Sequence, residues 1–426
     1  MATFVGFGFG AIQAGLFLYE AHQTGAFDRL VVAEVLPARV AALRQAGGIF
    51  HINVAHADGV KVAAVGPVEI YNPAVAEDRT ALVEAIAAAD ELATAIPSVD
   101  FYAGDGPGSL HRVLAAGLDE KVRRKGPQAV LYAAENHNQA AQILQEAVDD
   151  ALVDAAPAEV ARYLAFLNTV IGKMSGVVPL AGTASADGLV PVTPDADEAY
   201  LVESFNRILV SEPHLPTFSG QPRFLRRLDV FAEKPDLLPF EEAKLYGHNA
   251  MHAMAGYLAA LLGLETMAEL RQHPDVLALV REAGQAEAGA ALCRRYAGID
   301  PLFSTSGFAG YVDDLLVRMV NPFLRDGVRR VTRDPARKLG WNDRLIGAMR
   351  VTLAEGAEPR RLAMGAAAAL TQLPTADSAH GLPEQALAAL WQADSPPPAE
   401  VAVLSAWEGR GQRDLALWDA GQRRTF

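Results

Sequence analysis

The sequence predicts an α/β first half built on a mostly parallel sheet and an all-α second half. Over the first 150 residues short apolar strands alternate with helical stretches, and a glycine-rich turn follows the first strand. From about Pro239, Ala/Leu/Arg-rich segments run at helical spacing with almost no strand pattern. With 426 residues, 51% of them hydrophobic, the chain can bury two cores. The expected division is into residues 1–235 and residues 236–426.

Thr3 to Phe7 reads as a short apolar strand, Ile12 to His22 as a helix, and Leu30 to Glu34 as a second strand ending on an acid. Strand, glycine turn, helix and strand make one β-α-β unit, whose crossover should be right-handed. Leu92 to Ile96 and Ala129 to Ala133 are further strands, the latter followed by a helix over Gln139 to Val153. Strands so connected should form a sheet covered on both faces. The Gly/Pro/Ser/Asp-rich stretch Ala181 to Glu198 reads as a loop, and Leu201 to Val210 and Leu225 to Val230 as more strands of the same sheet.

The turn Phe7-Gly8-Phe9-Gly10-Ala11-Ile12-Gln13-Ala14-Gly15 carries the first chemistry. Gly8 permits a tight turn and Gly10 a close approach of backbone to a pyrophosphate, while the N–H groups of Ala11, Ile12 and Gln13 open a helix whose N-terminus attracts phosphate. Gln13 stands where such turns usually have a third glycine, and Gly15 is placed to let helix and sheet meet closely. A Gly-x-Gly pair alone is equally an ordinary turn. Here a strand precedes it, a helix follows it, and Glu34 ends the next strand where a carboxylate would take a ribose 2′-OH. That carboxylate favours NAD over NADP, with Arg39 nearby as a counterweight.

The second chemistry lies at Glu241-Glu242-Ala243-Lys244-Leu245-Tyr246-Gly247-His248-Asn249-Ala250-Met251-His252. On one α-helix over Glu241 to Leu258, Glu241, Lys244, His248 and His252 fall within about 80° of arc, with Asn249 at the edge of that face. A helical lysine is commonly a solvated surface residue, and a histidine on an apolar face a hydrogen-bonded core residue. Yet Lys244 is one of only seven lysines in a chain that otherwise uses arginine, and only a lysine can be brought near neutrality by burial. The segment therefore offers a base, an amide and two imidazoles for acid/base work.

Composition removes other classes. A net charge of −14 argues against nucleic acid and anionic membrane as partners. The single cysteine, Cys293, rules out an internal disulfide and a thiolate-rich metal site, and fits a cytoplasmic location. No metal is expected, because His248 and His252 lack an evident third ligand. No tyrosine is followed by lysine four residues on, as a short-chain dehydrogenase would require. Ala2 to Tyr19 is uncharged, but the first lysine or arginine is Arg29, so a strand and turn are expected there rather than a targeting segment.

Lys244-x-x-x-x-Asn249-x-x-His252 resembles the signature of the polyol-specific long-chain dehydrogenases, the mannitol dehydrogenase family. The similarity runs in register through Phe7 to Gly15, Glu34, Thr94-Ala95-Ile96-Pro97, Glu135-Asn136, Val202 to Phe205, Glu241 to Tyr257 and Arg337 to Ile346. The resemblance implies a Rossmann-type N-terminal domain that binds NAD, with Thr94 and Asn136 joining the glycine turn and Glu34 around the coenzyme, and a helical C-terminal domain for substrate. It further implies that Lys244 is the general base, that Asn136 and Asn249 donate to the developing oxyanion, that His252 orients substrate or lysine, and that Glu241 relays protons. Three departures stand out: Gln13, Ala134 where relatives commonly have cysteine, and Gly172-Lys173 in place of an Asp-Arg pair.

The expected reaction interconverts a hexitol, mannitol 1-phosphate in the first place, with the ketose fructose 6-phosphate, the protein acting as a monomer or dimer. Arg337, Lys338 and Arg344, with Arg333, are the candidates for holding a phosphate. They read equally as helix-surface charges paired with Asp334 and Asp343. The alternatives are a tagaturonate or fructuronate reductase, an unphosphorylated polyol dehydrogenase, and a non-catalytic NAD-binding sensor.

Overall fold

The structure is a computed structural model that describes residues 1–180, 188–218, 223–373, 387 and 389–419. Residues 181–187 of the expected Ala181–Glu198 loop lie outside these. The chain divides into two compact units, Met1–Leu238 and Pro239–Phe426.

In the first unit the strands are β1 (Thr3–Phe7), β2 (Arg29–Ala33), β3 (Phe50–Ala55), β4 (Val60–Val65), β5 (Glu69–Tyr71), β6 (Glu91–Thr94), β7 (Ala129–Ala133), β8 (Leu164–Val170), β9 (Ser175–Pro179), β10 (Glu198–Glu203), β11 (Ile208–Ser211) and β12 (Phe231–Lys234). Eight of them form one sheet in the order β12-β11-β8-β7-β6-β1-β2-β5. The run from β8 to β5 is parallel throughout, the Rossmann-type order, with the topological switch between β1 and β6. Only β11 meets its neighbour β8 antiparallel.

Alternation along each strand sorts the core into two layers. Val5, Val31, Leu92 and Leu131 pack with Leu82, Ile86, Leu114, Leu118 and Leu144 from helices Ala76–Ala88, Leu110–Arg124 and Ala140–Asp149. Their neighbours Phe4, Val32, Ala93 and Val130 face the other way, onto Leu16, Phe17 and a second sheet.

That second sheet, β4-β3-β10-β9, corrects the sequence reading. The stretch Leu201 to Val210 is two strands, not one: Glu198–Glu203 pairs with β3 and β9, whereas Ile208–Ser211 enters the main sheet. Buried Asn53 explains the latch, because its amide donates to Val190 O (2.8 Å) and Tyr200 O (3.1 Å) while accepting from Val190 N (2.9 Å). The strand expected at Leu225 to Val230 lies instead at Phe231–Lys234.

The second unit is helical among the described residues, apart from one isolated bridge between Thr266 and Gly327. Its central helix, Ala250–Leu261, is apolar on nearly every face and lies against helices Val328–Thr332, Arg360–Leu370 and Pro274–Glu282. No described helix is long and apolar enough to cross a membrane.

Candidate active site

In the first unit the glycine turn sits at the C-terminal end of β1, at the switch point. Gly8 has φ +84°, its N–H donates to Ala33 O (2.8 Å), and a Cβ there would stand 2.8 Å from Ala95 O, so only glycine fits. At Gly10 a Cβ would meet nothing within 4 Å, which leaves an open cradle of backbone. The buried Glu34 carboxylate accepts from Phe9 N (3.0 Å) and Leu36 N (2.9 Å), and the Tyr200 hydroxyl donates to Phe9 O. Held from both sides, the Phe9 peptide presents a preformed turn.

Gln13 is fully buried and turned toward the strand rather than outward. A Cβ on Gly6 would lie 2.0 Å from its Nε2, so Gly6 in β1 supplies the room that a third glycine in the turn would otherwise leave. Neither amide atom of Gln13 has a hydrogen-bond partner among the described residues. Its side chain is therefore a packing element. The helix begins with a π-turn, Gln13–Leu18, in which Tyr19 N–H reaches Ala14 O. Gly15 gives the close approach, but to Val202 of the second sheet.

Thr94 is fully buried and donates its hydroxyl to Glu135 (2.8 Å), so its side chain braces the turn. Glu135 also accepts from Ile96 N (2.9 Å) and the Tyr102 hydroxyl, joining the ends of β6 and β7. Burial pushes the Glu135 carboxyl up against these donors. Exposed Asn136 follows directly.

In the second unit the expected single α-helix is interrupted. Leu238–Glu242 is α, Ala243–Asn249 is a π-turn, and Ala250–Leu261 is α again. Ala250 N–H donates to Leu245 O, five residues back. A five-residue bond widens the turn, so residue i+5 lies nearer to residue i than on an α-helix and Asn249 is carried from the edge of the face toward Lys244. Desolvation brings the half-buried Lys244 ammonium down to about 8; the Glu241 carboxylate opposes this and the Arg344 guanidinium adds to it. Buried His248 is held neutral, its pKa far below the usual value through burial and the charges of Arg318, His252, Lys244 and Arg344.

His252 Nε2 lies 3.1 Å from Asp326 Oδ2, and Asp326 Oδ1 accepts from Arg330 Nε (2.8 Å). Burial drives the Asp326 carboxyl up, but His252 and Arg330 together hold it below its ordinary value. Sequence reasoning missed Asp326. It lies 74 residues from its partner, and no fixed spacing links them.

The basic cluster separates into different jobs. Lys338 is buried and donates to the carbonyl oxygens of Val331 (2.6 Å) and Arg333, stapling the turn after Val328–Thr332. Its ammonium falls to about 8 through burial and the nearby Arg344 and Arg337. Arg337 is exposed, and Arg344 pairs through Nε with Asp343 (2.7 Å). Of the three, Arg344 is the charge felt at Lys244. Among the described residues no group of three or more His, Cys, Asp or Glu is arranged to hold a metal ion.

Residues 236–390 match the family described as the mannitol dehydrogenase C-terminal domain. A mannitol-1-phosphate 5-dehydrogenase of Bacillus pumilus is 30% identical over 367 residues, 85% of this chain and 86% of that one. The enzyme of that name from Exiguobacterium sibiricum is 32% identical over 319 residues, 74% and 72% of the two chains. Among solved structures, Pseudomonas fluorescens mannitol 2-dehydrogenase in ternary complex with NAD and D-mannitol aligns over 99% of this chain and 93% of its own, with TM-score 0.66 and 16% identity. A D-sorbitol dehydrogenase in substrate-free form aligns over 99% and 91%, with TM-score 0.65 and 16% identity. At such identities the two structures speak for the fold.

Proposed function

The chain belongs to the mannitol dehydrogenase family, and on that premise we propose that it is an NAD-dependent dehydrogenase, acting in the cytoplasm, that interconverts mannitol 1-phosphate and fructose 6-phosphate without a metal. The observation that carries the reading is Lys244, brought near neutrality in a π-turn that ends at Asn249.

The first unit would hold the coenzyme: Gly8, Gly10, Ala11 and Ile12 along the pyrophosphate, and Glu34 at the ribose. The open face at Gly10 and the carboxylate at the end of β2 fit such a ligand. NAD bound there supplies the acceptor for the hydride that leaves the carbinol carbon. The neutral Lys244 amine takes the hydroxyl proton as that C–H bond breaks and the C=O forms. Amide N–H groups of Asn249 stabilise charge building on that oxygen. Glu241, one turn before Lys244, then carries the proton onward. His252, fixed by Asp326, orients the substrate hydroxyl or the amine. Neutral His248 adds no charge to oppose protonation of the lysine.

A phosphate on the substrate is supported by the relatives' names and by the positive field at Arg344. An unphosphorylated polyol or a hexuronate is the second reading, favoured by the commitment of Lys338 to backbone carbonyls. A sensor without turnover has no use for a lysine tuned in this way.

NADH oxidation by the purified protein, with fructose 6-phosphate run beside fructose, tagaturonate and fructuronate, tests the reading. Turnover on the phosphate alone, lost in Lys244→Ala, is the expected result. Turnover on a hexuronate or free ketose instead would move the assignment to the second reading, and none on any of them would remove it.

A further inference from the structure

Arg39 lies on helix Pro37–Gln45, five residues beyond Glu34. Its Nη1 stands 3.8 Å from Glu34 Oε2, while its Nη2 lies 2.8 Å from Glu198 Oε1 and 3.1 Å from Glu198 Oε2. Glu198 opens β10, the strand that also sends the Tyr200 hydroxyl to Phe9 O. A guanidinium beside the ribose-binding carboxylate is the group that would recognise the 2′-phosphate of NADP, since its planar fork matches a phosphate. Here that fork is already turned to a carboxylate from another strand.

We propose that Glu198 is a second coenzyme-selectivity residue: by engaging and neutralising Arg39 it keeps that guanidinium from serving a 2′-phosphate, and so excludes NADP together with Glu34. The inference rests on the reading of the first unit as an NAD site. Glu34 repels the extra phosphate directly; Glu198 acts through Arg39. Because Glu198 acts through Arg39, its removal should change selectivity and leave affinity for the common portion intact.

The test is calorimetric titration of the full chain with 5′-AMP and with 2′,5′-ADP, fragments that differ only in the 2′-phosphate. Glu198→Gln should raise the affinity for 2′,5′-ADP relative to 5′-AMP by about five- to tenfold, with 5′-AMP itself changed by less than about twofold. Arg39→Gln in the otherwise unaltered chain should leave the ratio where it was, and added to Glu198→Gln it should erase the gain. An unchanged ratio in Glu198→Gln with a native melting temperature would overturn the proposal. So would a several-fold loss of 2′,5′-ADP binding in Arg39→Gln alone, which decides the matter even if Glu198→Gln does not fold. Absence of 5′-AMP binding by the unaltered protein would instead sink the NAD reading.

Discussion

Lys244 must be unprotonated to accept a proton and protonated to return one. Desolvation sets its pKa at about 8, so kcat/KM for polyol oxidation should rise about tenfold per pH unit below that value and level off above it. Ketose reduction should run the opposite way, and profiles that are flat in both directions would remove Lys244 as the base. Lys244→Ala should lose about 10²–10⁴-fold in kcat with NADH affinity unchanged. Asp326 offers a separate check. Asp326→Asn replaces the acceptor that fixes the His252 ring, and should lower kcat by at least about tenfold while NADH affinity holds. Lys244, Asn249 and His252 could be singled out as candidates in the sequence because they stand within one short segment. Asp326 was not, since a contact across 74 residues leaves no periodic mark.

At the scale of elements, the π-turns at Gln13–Leu18 and Ala243–Asn249 change which side chains share a face. Hydrophobic periodicity locates the helices but does not report a single i→i+5 register. The first π-turn comes with an exchange of sizes, Gln13 in the helix against Gly6 in β1. Gly6→Ala should cost about 1–3 kcal/mol in urea unfolding, because the fully buried Gln13 has little space to retreat. Gln13→Ala in the same chain should recover most of that loss. Strictly additive effects in the double variant would show that the two residues do not exclude each other. The strands β1 and β7 lie where alternation and composition put them, at Thr3–Phe7 and Ala129–Ala133. The second sheet was not legible, because its pairing depends on Asn53 reaching residues more than 130 positions away.

For the whole molecule, coenzyme binding and folding are linked. NADH at about a hundred times its Kd should stabilise the unit that carries the glycine turn by about 2.7 kcal/mol, a rise of about 5–10 °C in its melting midpoint. Gly10→Asp puts its Cβ in open space, since nothing lies within 4 Å of it there, yet it sets a carboxylate where phosphate would lie. That variant should keep the unliganded midpoint and lose the shift; an undiminished shift would place the coenzyme elsewhere. The sequence by itself determined the parallel α/β first half, the helical second half, the glycine turn with its acid, and the lysine, amide and imidazole proposed for the chemistry. All of these are written in local order, as alternation, helical spacing and residue type. Tertiary structure alone decided that Thr94 and Gln13 face inward, that Lys338 staples carbonyls, that Asp326 holds His252 and that Glu198 holds Arg39. The reason is physical: a side chain's partner and its desolvation are set by atoms brought together from distant parts of the chain, and those contacts form only once the elements pack.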